Sequence, residues 1–452
     1  MSDHVIRKGL DIPIRGGATG DVVSLEAPAS VAYAPSEIHG LVPRILAREG
    51  ASVRAGTPLF HHKSEPRMVF RSPVAGTVKE IRRGARRVIT DIVVERSGDA
   101  VEELPAYTAA QLAEMSPDAA VDAALATGLW GTMSARPLGK LADPAEAPQA
   151  ILIAATETGP LQPGPDVLLD ADDGEALQAA VTLLGRICPQ VHLSVPAGSS
   201  HPALRDINGV ERHAFSGPHP SGDPALQVNF VSPPRGAGKV WTLRAWDAVL
   251  MGKALLTGRF PTERVYAAVG AGVETPRFVR TTLGAPLASL VGDTIPGGHR
   301  WIRGSVLTGQ AVDPGDFAPF RARAVHLLPD EVPRLLFGWA LPMLGTWSFH
   351  RTYLSGLLRS RPANGVDMRP GLFGGHRAMV PIGVYDRVVP TPDVLPEFLF
   401  KSIVAGDLEE SIQLGLLDIT EEEAALCTYI CPSKISFDEL LRDGLALYEQ
   451  EA

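Results

Sequence analysis

Between Ile45 and Ile81 the sequence runs ILAREGASVRAGTPLFHHKSEPRMVFRSPVAGTVKEI. Short apolar segments alternate with glycine and proline turns, the pattern of small barrels and sandwiches. Gly50 and Gly56 bracket a turn, a short strand and a second turn. Ser72-Pro73-Val74-Ala75-Gly76-Thr77-Val78 repeats that design. The first hundred residues therefore read as a β-unit of their own.

The two half-motifs, EG-x-x-V-x-x-G and SP-x-x-G-x-V, resemble the hammerhead fold of biotinyl and lipoyl carrier domains. A carrier presents a lysine between the halves, on a hairpin tip with hydrophobic neighbours such as Met. Here the intervening residues are His61-His62-Lys63-Ser64-Glu65-Pro66, so no prosthetic group is expected on Lys63. Adjacent histidines can bind a metal, but no third ligand is spaced for one. Arg82-Arg83-Gly84-Ala85-Arg86-Arg87 then packs four guanidinium groups into one turn. Two readings stay open: a solvated turn, or a docking site for an acidic partner or anionic headgroups.

The 452 residues are enough for several domains. A 45% apolar and 21% charged composition is that of a folded soluble protein. The net charge of -9 argues against a nucleic-acid binder. Three cysteines make no disulfide framework and the start MSDHVIRKGLDI lacks a secretory h-region, so the reducing cytoplasm is expected. The longest apolar candidate, Leu335–Phe349, is broken by Gly338, Pro342 and Gly345 and is too short to span a bilayer.

Residues 100–125 read as helical, and Thr127–Pro137 as irregular. From Ala150 an α/β alternation follows: a strand at Ala150–Thr156, an amphipathic helix at Glu175–Arg186, and strands at Gln190–Val195, Leu226–Val231, Val240–Leu243 and Val265–Val269. This spacing suggests a Rossmann-like layer. The dinucleotide fingerprint is missing: Gly270 and Gly272 are followed by Thr275, not Gly. His4, His39, His299 and His326 are scattered without metal spacing, and no Ser/His/Asp arrangement points to a hydrolase.

At the C-terminal end, Thr420 with Glu423 and Ser436 with Glu439 read as capping boxes. Phe437, Leu441, Leu445 and Tyr448 give the last helix one apolar face. Cys427-Thr-Tyr-Ile-Cys431-Pro432 has the spacing that ends the bacterial ferredoxin run, whose thiolates hold iron–sulfur clusters. Glu421 and Ala424 occupy the slots of the two preceding cysteines. Cys427 and Cys431 are thus vestigial, and no metal is expected on them.

Across nearly its whole length the chain resembles the family of A subunits of sodium-translocating NADH:quinone oxidoreductases. The stretches that carry the resemblance occur in order: Ile6–Ile14, Arg82–Val88, Thr127-Gly128-Leu129-Trp130, Phe215–Pro220, Leu336-Phe337-Gly338-Trp339, His376–Tyr385 and Ala425–Lys434. The resemblance implies an α+β / α/β multidomain fold related to the flavin-binding subunit of respiratory complex I. A biotinyl/lipoyl-like hammerhead domain is expected over 1–100 and a Rossmann-like domain over 101–260. A β-grasp (SLBB-like) domain over 261–330, a linking β segment over 331–376 and a helical domain over 377–452 complete it.

It also implies a peripheral subunit on the cytoplasmic face of the bacterial inner membrane, within a six-subunit machine that oxidises NADH, reduces ubiquinone and exports sodium. No permanent cofactor is implied on this chain; NADH, FAD, FMN and iron–sulfur centres belong to partner subunits. In the complex I relative a glycine-rich loop cradles the flavin phosphate. The matching Gly128–Pro137 carries bulky residues where backbone N–H groups need clearance, so the flavin site looks vacated. Quinone binding has two candidate places, this chain or a membrane partner. On this chain Phe337, Trp339, Trp347, Phe349 and His350 form the candidate cleft, with packing as the alternative. His213 and His219, read as loop residues, rank behind it, and Arg377, after Gly374-Gly375, is a candidate partner contact. A purely structural scaffold is the alternative function. Ser433 stands where the family usually has Gly, and Ser221–Val228 departs from its Gly–Thr–His pattern, so no ligand role is carried onto that loop.

Overall fold

The computed structural model describes residues 2–292, 297–330, 336–337, 340–342, 347–351, 353–357, 365–368 and 383–451. Two small antiparallel sheets close into a barrel. One holds Ser30–Tyr33, Ile89–Arg96, Gly76–Arg83 and Ser52–Val53; the other holds Pro43–Ile45, Pro58–His62 and Val69–Arg71. Their inner faces bury Val31, Leu59, Phe60, Phe70, Val78 and Ile92. Phe60 and Phe70 face each other in register and stack 4.6 Å apart. Gly76, the glycine of the second half-motif, crosses its neighbour so closely that a Cβ would lie 1.9 Å from the Glu95 carbonyl oxygen.

The strands of the barrel begin at Ser30, and the segment before them serves other sheets. Ser2–Val5 instead pairs in parallel with Glu211–Ser216, and Val22–Ser24 pairs with Arg277–Thr282. The N-terminal segment covers two open sheet edges that other domains leave exposed. Between these strands Leu10, Ile12 and Ile14 bury themselves in the core of the C-terminal helices.

The α/β sheet has the order Ser2–Val5, Glu211–Ser216, Val191–Pro196, Ala150–Ala154, Val240–Arg244, Ser134–Arg136, Lys140–Leu141. The first five strands are parallel and the last two antiparallel. Ala150–Ala154 is buried at every position, as its unbroken apolar run requires of a central parallel strand. Helices Gly174–Ile187 and Ala245–Thr257 pack so tightly that a Cβ on Gly252 would meet the Ala176 carbonyl at 1.8 Å. Helices Ala109–Glu114 and Pro117–Ala126 occupy the stretch read as helical. The strand expected at Leu226–Val231 is a helix, Pro224–Val231. Asp223 caps it by accepting from the Ala225 N–H, and Pro224 takes the first turn; these start signals outweigh the valines.

The next sheet runs Gln310–Val312, His299–Arg303, Ala324–Pro329, Glu263–Val269, Arg277–Thr282, Val22–Ser24. Its mixed pairing and the helix Leu287–Val291, packed over Tyr266, Trp301 and Val325, are those of a β-grasp. Most of 331–376 lies outside the described residues, as do Trp339 and Arg377; Leu354–Leu357 is one helical turn and Val366 bridges Ile14.

Helices Pro396–Ala405, Leu408–Gln413, Glu421–Ile430 and Phe437–Glu451 form the last domain. The Thr420–Glu423 capping box is present in both directions. At the last helix the first N–H, on Phe437, goes to Thr428 Oγ1 at 2.9 Å. Phe437 and Leu441 are buried, with Leu445 and Tyr448 packed against the same core, so this face serves its own domain.

Buried ion pairs stitch the domains together. Glu37 of the barrel meets Arg303 of the β-grasp at 3.1 Å, and Asp247 of the α/β domain meets Arg323 of the β-grasp. All four side chains are at most 8% exposed.

Candidate functional site

In the α/β sheet, strands Val191–Pro196 and Val240–Arg244 leave Ala150–Ala154 on opposite sides. The crevice at the carboxyl ends of such strands is where open α/β sheets bind ligands. A cavity of about 690 Å³ lies there, walled by all four domains. One wall is the stretch Ser134–Lys140, which continues the loop that matches the complex I flavin cradle.

That loop has been rebuilt. Trp130 is fully buried, donates from Nε1 to the Ala142 carbonyl at 2.8 Å and packs edge-on to Trp241. The N–H of Leu129 goes to Thr127 Oγ1, that of Thr132 to the Leu129 carbonyl and that of Met133 to the Trp130 carbonyl. A phosphate cradle needs such N–H groups free and convergent. These are spent inside the loop, and the residues do not fit a flavin phosphate.

The cavity's guanidinium groups are committed too. Arg136 donates to the carbonyls of Pro137, Leu417, Asp418 and Ile419 at 2.7–3.3 Å, which pins the turn before helix Glu421–Ile430 to the α/β domain. Arg244 donates to the carbonyls of Thr156 and Gly222 and pairs with Glu157 at 3.3 Å. Arg321 reaches the Thr132 carbonyl and Ser134 Oγ. A quinone wants apolar walls with one or two donors; this cavity offers charged walls, and of the Arg136 guanidinium only the buried Nε has no partner among the described residues.

At the same junction His219 Nε2 lies 3.2 Å from Glu422, which also accepts from Thr308 Oγ1 at 2.7 Å. Burial opposes the imidazolium, but the Glu422 carboxylate, aided by Glu157 and Asp223, outweighs it and raises the His219 pKa. Burial likewise opposes the Glu422 anion, yet the bonds from His219, Thr308 and Ser305 leave its pKa lowered. The raised histidine stabilises the fold fully below its unfolded pKa, near 6.5, and loses that effect as pH rises through the folded value. The lowered carboxylate stabilises above its unfolded value, near 4.5, and loses it as pH falls. The tie is therefore strongest between those two pH values. In urea melts, the stability difference between wild type and Glu422→Gln should peak there and shrink toward pH 9. A difference that stays flat across this range would refute the tie.

The aromatic stretch is partly engaged. Trp347 stacks on Tyr429 with ring centroids 6.0 Å apart, and Arg387 sits 4.9 Å over the Phe349 ring. His350 Nε2 is 2.6 Å from the Ile430 carbonyl. A carbonyl only accepts, so Nε2 holds the proton and a neutral His350 keeps only an acceptor, Nδ1, to offer. Phe337 is 63% exposed. The fold thus brings Trp347, Phe349 and His350 to the helical domain, while Trp339 lies outside the described residues.

Cys427 and Cys431 are both buried; burial, with Glu423 beside it, pushes the Cys427 thiol well up. Tyr385 donates its hydroxyl to Cys431 Sγ at 3.2 Å. Of the missing slots, Ala424 is buried and Glu421 pairs with Arg442 at 2.7 Å. The four positions are filled by packing and do not fit a cluster.

In the basic turn, Arg82 folds back on Glu80 and over the Phe317 ring. Arg83, Arg86 and Arg87 remain exposed, without an ion pair among the described residues. His213, read as a loop residue, lies inside strand Glu211–Ser216 and contacts His4 and His192. Sequence reasoning missed this contact and the roles of Arg136 and Glu422. The one local signal was Glu211 and His213 two apart on a strand, on one face.

The chain matches the family models described as "NqrA N-terminal barrel-sandwich hybrid domain" over residues 4–97, "NqrA second alpha/beta domain" over 115–260 and "NQRA C-terminal domain" over 265–313. It is 38% identical to the A subunit of the "Na(+)-translocating NADH-quinone reductase" of Pseudomonas aeruginosa strain UCBPP-PA14, over 99% of both chains. The proteins of the same name from Klebsiella pneumoniae strain 342 and Vibrio atlanticus strain LGP32 are 37% and 35% identical, again over 99% of each chain. Among solved structures, an NAD+-reducing [NiFe]-hydrogenase chain aligns with 13% identity and a TM-score of 0.37, over 78% of this chain and 68% of that one.

Proposed function

Because the chain belongs to the NqrA family, the A subunits of the Na(+)-translocating NADH-quinone reductase, we propose that its own part in that enzyme is a rigid, peripheral body that carries no redox centre. The observation that carries this reading is the double filling of inherited sites. In the loop at 128–137 the N–H groups of Leu129, Thr132 and Met133 are spent, and the cluster slots hold buried Ala424 and an ion-paired Glu421. NADH oxidation, quinone reduction and sodium movement then proceed through partner subunits. No helix among the described residues is long and apolar enough to cross a membrane, which accords with a peripheral seat at the cytoplasmic face. The exposed guanidinium groups of Arg83, Arg86 and Arg87 suit an acidic partner surface or headgroup layer there.

Quinone contact on this chain is assigned to the stretch Phe337–His350 beside the helical domain, on the strength of the half-buried rings of Trp347 and Phe349. A photoreactive quinone applied to the assembled complex, followed by peptide mapping, tests it. Labels within 337–350 support the contact. Labels confined to the membrane subunits leave a scaffold alone. Iron and sulfide near stoichiometric amounts in chain made anaerobically would overturn the non-redox reading.

Replacing Arg83, Arg86 and Arg87 together with glutamine should weaken association with the membrane subunits several-fold at low salt. Wild-type association should fall as salt rises. Equal association of the two at low salt would reduce the turn to a solvated one.

A further inference from the structure

We propose that His192, Glu211 and His213 form a surface site for a divalent transition-metal cation, zinc in the first place. The inference does not rest on the reading of the cavity or of quinone contact. Strands Val191–Pro196 and Glu211–Ser216 are parallel neighbours with His192 opposite Glu211. Side chains alternate along a strand, so Glu211 and His213 project from the same face as His192. Three ligand atoms converge there. His192 Nδ1 lies 3.1 Å from His213 Nε2 and 3.5 Å from one Glu211 oxygen; the other Glu211 oxygen lies 3.9 Å from His213 Nε2. Ligands held tetrahedrally about 2.0–2.1 Å from zinc stand roughly 3.3 Å apart. The triangle needs only a small adjustment of the exposed Glu211 to close on a cation.

A second observation points the same way. The other nitrogen of His213, Nδ1, lies 3.3 Å from His4 Nε2 on the edge strand Ser2–Val5. A metal-bound imidazole commonly has its second nitrogen engaged in this manner, which fixes both ring and tautomer. His213 Nδ1–H donating to His4 leaves the Nε2 lone pair aimed at His192. Glu211 supplies the negative charge and, being exposed, leaves one side open for a water as fourth ligand.

Two imidazoles and one carboxylate form a donor set of intermediate softness. It suits zinc, cobalt or nickel, and neither calcium nor magnesium. The site lies toward the amino-terminal ends of the parallel strands, opposite the cavity. Its effect is to fasten strand Ser2–Val5, since His4 joins the site through His213 and stacks on Phe215 at 4.6 Å.

The test uses the full chain, stripped with a chelator and titrated with zinc chloride by calorimetry. One equivalent should bind with a dissociation constant in the micromolar range or tighter, and the melting temperature should rise. Cobalt should give a visible ligand-field spectrum of four- or five-coordinate nitrogen and oxygen donors. Glu211→Gln, at an exposed position, should fold normally and bind zinc at least tenfold more weakly. His192→Ala should do the same, while His61→Ala should bind as wild type. The absence of an equivalent of zinc on wild type, or equal binding by Glu211→Gln and wild type, would overturn the proposal.

Discussion

Asp247→Ala is expected to cost about 3–5 kcal/mol of folding stability, the range found when one partner of a buried ion pair is removed. Asp247 lies at the start of helix Ala245–Thr257 and accepts from the Arg323 guanidinium. Arg264 and Arg321 stand in the same buried region, and burial together with Arg323 pushes Arg264 down to about 10. Without Asp247 Arg321 is left with Glu37, which is already shared with Arg303. Asp247→Asn should cost nearly as much, because the charge rather than the shape is what Arg323 needs. The double variant Asp247→Leu with Arg323→Met should recover most of the loss, since an apolar pair of similar volume removes both desolvation penalties. Urea unfolding of the three chains measures this, and a loss below about 1 kcal/mol for Asp247→Ala would show that water reaches Arg323.

Arg136→Met is expected to cost about 2–4 kcal/mol, with the damage confined to the helical domain. Four carbonyls lose a charged donor, and each such bond is worth about 1.5–3 kcal/mol before solvent makes up part of the loss. Three of the four, on Leu417, Asp418 and Ile419, belong to the turn that leads into helix Glu421–Ile430. Amide hydrogen exchange should quicken across 408–430, while the barrel strands Ile89–Arg96 and Gly76–Arg83 keep their protection. Arg136→Lys should rescue little, because a single ammonium cannot address carbonyls spread across a planar fork. Uniform acceleration through all domains would mean that Arg136 supports the α/β domain instead.

The barrel was legible because its rule is local. The second half-motif places Gly76 where a strand crossing leaves no room for a Cβ, and the first places Gly50 and Gly56 at turns with positive φ. The Thr420 cap was legible for the same reason: four residues carry the whole signal. Leu226–Val231 alternates apolar and polar residues as a strand does over its first four positions, and the Asp223-Pro224 start signal ahead of it makes it a helix. The junction at Arg136, His219 and Glu422 had no local signature. Its partners lie 203 residues apart at His219–Glu422 and 283 apart at Arg136–Ile419, and single residues at such separations leave no periodic trace. The histidine cluster was hidden likewise, since His4 and His213 stand 209 positions apart.

The placement of the first strand has a consequence for how the chain is made. During synthesis the barrel from Ser30 to Arg96 can close as soon as it leaves the ribosome, because its strands pair only with one another. Ser2–Val5 has no partner until Ser216 has emerged, and Val22–Ser24 has none until Thr282 has. Ser2–Val5 and Val22–Ser24 are made before the barrel yet are among the last to settle, and they wait as unpaired segments beside a finished domain. In that interval two sheet edges are open to other nascent chains. A tag or fusion partner joined ahead of Ser2 would sit against the edge that completes the α/β sheet.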